Sequence, residues 1–145
     1  MRYNLDIFRE AGRQAALELR GVAANLTGTE IIDREQDAPL FDPDKDYTDF
    51  PVGSPVRDEG QVWLILQPYN AAFYPQRPAK LRALWGLAHT TDPAKAKPWV
   101  DPYGTSGMYM KGECYVDEFG VVWRCKDDNV VYPVTELPSA WEVVV

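Results

Sequence analysis

From residue 50 onward the chain repeats itself, and this short repeat limits the fold more than any other feature. The first copy runs Phe50-Pro-Val-Gly53, then Gly60-Gln-Val-Trp63, and closes at Ala83-Leu-Trp85. The second runs Tyr109-Met-Lys-Gly112, then Gly120-Val-Val-Trp123, and closes at Ser139-Ala-Trp141. Each copy reads as a β-hairpin with a polar, glycine-ended turn, followed by a proline-containing loop and a closing strand that starts at a tryptophan. Two small tandem three-stranded β modules are expected, over residues 50–97 and 98–145. Units of roughly 35 to 45 residues lie near the lower limit for a self-supporting core. Large aromatic side chains supply the apolar area that smaller ones cannot, so Trp63, Trp85, Trp123 and Trp141 are assigned to the cores.

Residues 1–36 have a different character. From about Asn4 to Leu26 helix formers dominate and proline is absent. Leu5, Phe8, Gly12, Ala15, Leu19, Val22 and Leu26 recur alternately three and four apart, which is the spacing of a coiled-coil seam. One amphipathic helix must bury its stripe, either on its own domain or against further copies or a larger assembly. Assembly is the favoured reading, because the following sequence is β-rich, and Leu5, Phe8, Ala15, Leu19, Val22 and Leu26 become the oligomerisation residues. Gly28 is placed to end this helix and Thr29 to cap a short second one through Glu35. The whole is mainly β with an N-terminal α-helix.

Residues 37–49, rich in proline and aspartate, read as an acidic linker. Asp42, Asp44 and Asp46 have the opening spacing of a calcium-binding hand loop, but Tyr47 stands where the turn needs glycine and Gly53 where it needs glutamate. No metal site or cofactor is assigned. Cys114 and Cys125 flank the Phe119-Gly120 turn about equally. They are expected as reduced, packed thiols in a cytoplasmic product, with a cross-strand disulfide as the alternative.

A net charge of −7, from 22 acids and 15 bases, argues against a phosphate-tracking surface and so against nucleic acid. No apolar run reaches a membrane span, and the start Met1-Arg-Tyr-Asn-Leu-Asp lacks the apolar core of a signal peptide. A product made and kept in a cytoplasm, with no membrane partner, is expected. The single histidine, His89, has no nucleophile motif beside it, and Gly104-Thr-Ser-Gly107 lacks the spacing of a nucleophile elbow. A non-enzyme is expected.

The repeated aromatic-x-x-Gly, hairpin glycine and closing Ala-Leu-Trp or Ala-Trp resemble the small chitin-binding type of carbohydrate-binding module, families 5 and 12. More closely, the chain is similar to tandem-module proteins of bacteriophages and prophages. Asp37-Ala-Pro-Leu-Phe41 matches their connector, and Pro98-Trp99-Val-Asp-Pro-Tyr-Gly104 with Tyr109-x-Lys-Gly112 and Asn129-Val130-x-x-Pro133 matches their second module. Val131 stands where that group usually carries tryptophan. The resemblance implies a virion-associated protein attached to capsid or tail, a homo-oligomer with a trimer favoured, in contact with other virion proteins or a host-surface polysaccharide. A purely structural capsid or tail component, or an accessory subunit of a polysaccharide-degrading enzyme, are the alternatives.

Sugars are gripped by flat rings with amides or carboxylates fixing the hydroxyls. Tyr69, Asn70, Phe73 and Tyr74 place three aromatics and an amide in the first module's loop, and Asp128, Asn129 and Tyr132 occupy the matching loop of the second. These seven residues are the candidate contacts for glycan or protein.

Overall fold

The computed structural model describes residues 2–145, with side chains placed from residue 6 onward. Helix α1 spans Arg2–Val22 and is closed by a 3-10 turn at Ala23–Asn25. Its burial is uneven along its length. Every residue from Asp6 to Gln14 is exposed, whereas Leu19 is fully buried and the Arg20 guanidinium lies 3.8 Å over the Phe50 ring. The last two turns are therefore fixed to the body, and the described turns before them project. This corrects the seam. Leu19 is used inside the chain, Ala15 and Leu26 are half-buried, and among the described seam residues Phe8, Gly12 and Val22 remain exposed. The Leu5 side chain lies outside the described residues.

Helix α2 covers Gly28–Asp33, and its cap is Thr27, not Thr29. The Thr27 hydroxyl accepts from the Glu30 amide at 3.2 Å while the Glu30 carboxylate accepts from the Thr27 amide at 3.0 Å, a reciprocal capping box. Gly28 opens this helix instead of ending the first, and the position needs glycine because a Cβ there would lie 2.2 Å from the His89 carbonyl oxygen. Ile31 and Ile32 bury against Val62 and Ala88, with Leu26 beside them. Thr29 accepts from the Thr91 amide at 2.8 Å, and Lys95–Asp33 and Lys97–Glu35 ion pairs tie the same region to the segment between the modules.

The first sheet has the antiparallel order β1 (Pro55–Asp58), β2 (Gln61–Ile65), β3 (Trp85–Leu87). Glu59 (φ 52°) and Gly60 (φ 77°) both take the left-handed conformation that a two-residue hairpin turn needs. The second sheet comprises β4 (Lys97–Pro98), β5 (Cys114–Val116), β6 (Val122–Cys125) and β7 (Trp141–Val143). Strands β5 to β7 are antiparallel and match the first sheet. Strand β4 runs parallel to β5 and is one more than expected.

The duplication is visible bond by bond. Gly53 (φ 93°) donates to the Ile65 carbonyl, and Gly112 (φ 92°) donates to Cys125, both at 2.8 Å. Ile65 and Cys125 donate back to Ser54 and Glu113, while Leu66 and Lys126 reach Leu84 and Ala140. Ile65 pairs with Trp85 as Cys125 pairs with Trp141. The unit also begins earlier than residue 50. Phe41 donates to the Arg57 carbonyl along the edge of β1, as β4 lies along β5, and Tyr47 donates to Tyr69 as Tyr109 does to Val130. Phe41 and Tyr47 are buried in the first core. The stretch expected to be a solvated linker is thus part of a module, and by these bonds Tyr47, not Phe50, is the counterpart of Tyr109.

Each core centres on an indole crossed by tyrosines at steep angles: Trp85 with Tyr47 and Tyr69, Trp141 with Tyr109 and Tyr115. Trp63 is buried as expected, whereas Trp123 is only half-buried. Both cysteines are free and buried. Cys114 lies opposite Arg124, so Cys125, one residue on, points to the other face of the sheet, which removes the cross-strand disulfide.

Candidate functional site

The first module's loop divides its aromatic residues. Tyr69 is 7% exposed and its hydroxyl accepts from the Trp85 indole at 2.8 Å, so it is a core residue and not part of a platform. Asn70 spends its side-chain oxygen on the Ala72 amide, and the turn this sets up presents Phe73 and Tyr74 outward, 77% and 58% exposed. In the second module the Asp128 carboxylate accepts from the Lys111 amide, and Asn129 takes a left-handed φ of 59° in the loop. Tyr132 is exposed, and its carbonyl accepts from the Trp141 indole at 2.9 Å. Its ring lines a hollow of about 450 Å³ with Asp101, Gly104 and Glu136, to which neither Asp128 nor Asn129 contributes.

A second depression, of about 420 Å³, lies on the other side of Pro133. Its walls are Pro98, Trp99, Tyr115, Phe119, Pro133 and Val134, and its rim carries Asp117, Glu118 and Thr135. None of these was singled out from the sequence as a contact residue. Phe119 is 82% exposed because it occupies the hairpin turn, where the Asp117 side chain accepts from the Phe119 and Val121 amides. The other Asp117 oxygen takes the Trp123 indole proton at 2.9 Å. That bond above all, helped by the two amides, holds the Asp117 carboxyl below the usual range.

Trp99 and Tyr115 are engaged as well. The Trp99 indole donates to Asp101 at 2.7 Å, and the Tyr115 hydroxyl accepts from the Val134 amide at 3.1 Å. No lysine, arginine or histidine lines it. The result is an apolar trough bordered by the carboxylates of Asp117 and Glu118.

Behind the groove runs a stack of three rings. Trp99 lies parallel to Tyr109 at 4.9 Å, and Tyr109 lies on His89 at 3.7 Å. The His89 Nε2–H donates to the Gly107 carbonyl at 2.9 Å, joining the end of the first module to the second. Burial first, with the neighbouring Arg82 charge adding to it, pushes the His89 pKa down to about 4, so the ring is neutral near pH 7. Its position is that of a spacer in a joint. Among the described residues no group of three histidine, cysteine or carboxylate side chains gathers as a metal site, and no helix is long and apolar enough to cross a membrane.

No protein-family model matches the chain, and no curated protein matches it either.

Proposed function

We propose that this chain is a non-enzymatic, virion-associated protein whose second module makes contact with neighbouring virion proteins through the aromatic groove, while the projecting part of α1 serves self-association. The likeness of its motifs to phage tandem-module proteins supports the virion setting. The observation that carries the contact reading is the state of the groove. Phe119, Trp99 and Pro133 offer apolar area, but the indole and Asp117 are already bonded within the module. Such a surface suits the apolar centre of a protein interface better than the hydroxyl-rich edge of a sugar. A second reading, weak glycan binding made useful by repetition in an oligomer, draws on the exposed rings of Phe73, Tyr74 and Tyr132.

Two measurements separate them. The assembled chain is applied to a glycan array and, in parallel, to disassembled particle proteins. Retention of a particle protein that is lost in Phe119→Ala, with a blank array, supports protein contact. Glycan signals lost in Tyr74→Ala support the second reading instead. Light scattering addresses α1: a chain that stays monomeric at tens of micromolar contradicts helix-driven association.

A further inference from the structure

The two modules differ at one corresponding place, and the difference points to what the groove takes. Strand pairing sets Leu40 and Phe41 against Pro98 and Trp99, and Asp58 against Asp117. The rings agree: Phe41 lies parallel to Tyr47 and edge-on to Trp85, as Trp99 lies parallel to Tyr109 and edge-on to Trp141. Leu81 donates to the Pro78 carbonyl as Leu137 does to that of Pro133, which makes these prolines counterparts. In the first module the residue before this proline is Arg77, and its guanidinium reaches the carboxylates of both Asp58 and Glu59. In the second module that residue is Tyr132, which lies on the other side of Pro133 with Asp101, Gly104 and Glu136. Asp117 and Glu118 keep the pair of carboxylates, and no arginine or lysine lines the groove beside them.

Resting on the protein-contact reading above, we propose that the groove receives an arginine side chain of the neighbouring protein, in the place that Arg77 fills in the first module. Glu118 is exposed and pairs with no cation among the described residues. Asp117 accepts from two turn amides and the Trp123 indole, one bond short of the roughly four that a carboxylate can take. Beside them the Phe119 ring stands exposed in the turn. A guanidinium suits this set better than an ammonium, because its planar fork spans two acceptors while its face lies on a ring. The chain makes the ring contact within itself: the Arg20 guanidinium lies 3.8 Å over Phe50 and that of Arg82 lies 5.3 Å over Trp63. The alkyl stem of the incoming arginine runs along the apolar walls of the trough.

The test titrates the full-length chain with acetyl-Gly-X-Gly-amide peptides, X being arginine, lysine or citrulline, and follows its amide signals by NMR. Titration runs to about 20 mM, the range in which contacts of one side chain saturate. The arginine peptide should shift the signals of Glu118, Phe119 and Thr135. The lysine peptide should bind about threefold more weakly or worse, and citrulline, which keeps the shape without the charge, should leave the signals unmoved. Affinity for the arginine peptide should fall about two- to fivefold in Glu118→Gln and in Phe119→Ala, both exposed positions, and should fall in 0.5 M salt. Arg77→Ala vacates the first module's rim, so the same peptide should there add shifts at Glu59 and Gly60. Arginine and citrulline peptides acting alike, or an affinity unchanged in Glu118→Gln, overturns the inference, as does a folded Arg77→Ala chain that gains no shifts. If the peptides fail in this way while Phe119→Ala still loses its particle protein, the arginine site falls and the contact reading stands. If the peptides behave as expected while Phe119→Ala keeps its particle protein, the contact reading falls and the arginine site stands.

Discussion

At the scale of single residues, the most consequential side chains are tyrosines and tryptophans that spend their polar atoms inside the cores. Tyr69 shows why. Its ring packs edge-on to Trp85 and its hydroxyl takes the indole proton at 2.8 Å. Tyr69→Phe keeps the ring and strands that buried N–H, so it should cost about 1–3 kcal/mol in urea unfolding. Tyr74→Phe, at an exposed position, should change stability by less than about 0.5 kcal/mol. His89 makes a prediction about pH. Folded, it holds its proton only below about pH 4, against an ordinary value of 6.5. Between those values the unfolded chain binds more protons, so this residue's contribution to stability falls as pH is lowered from about 6.5 to about 4, by on the order of 3 kcal/mol in all. Asp58 and Glu113, both raised by burial, work in the opposite direction as pH falls. The difference between wild type and His89→Gln removes their effect: the gap between the two urea midpoints should shift against wild type on acidification, and a gap that stays constant contradicts a neutral, buried His89.

At the scale of elements, α1 is two different helices in one. Leu19 is buried and Phe8 is not, so Leu19→Ala should destabilise the monomeric fold by about 2–4 kcal/mol, while Phe8→Ala should leave unfolding unchanged and reduce only association. Equal effects of the two on unfolding would mean that the projecting turns pack on the body. The heptad spacing made the helix legible but said nothing of which of its turns pack on the chain's own body. The strands were legible for a firmer reason: Gly53 and Gly112 at φ near 90°, and the tryptophans that open β3 and β7, are requirements of the turn and the core. What the residue pattern concealed was anything set by contact across long separations. Phe41 and Tyr47 lay in a stretch whose composition is that of a solvated connector, yet backbone bonds to Arg57 and Tyr69 draw them into the first core. Likewise Tyr69 looked like a loop aromatic, because nothing local marks the indole it bonds. The groove had one local clue, a phenylalanine inside a turn at Phe119, where a large ring has no core to enter.

At the scale of the whole molecule, two small sheets that bury one central indole each are joined by a stack of rings from His89 to Trp99. Both units share a frame, but only the second has Phe119 standing in its hairpin turn, since the first closes its hairpin with the tight Glu59-Gly60 pair. The frame serves stability, and on the proposed reading the extra turn residues of the second unit serve contact. Residue-resolved amide hydrogen exchange tests the duplication most directly. The account predicts that Gly53, Ile65 and Leu66 are protected together with one another, and that Gly112, Cys125 and Lys126 form an equivalent protected set, each with its own closing strand. Rapid exchange of either set while the other stays protected in the native chain would contradict it.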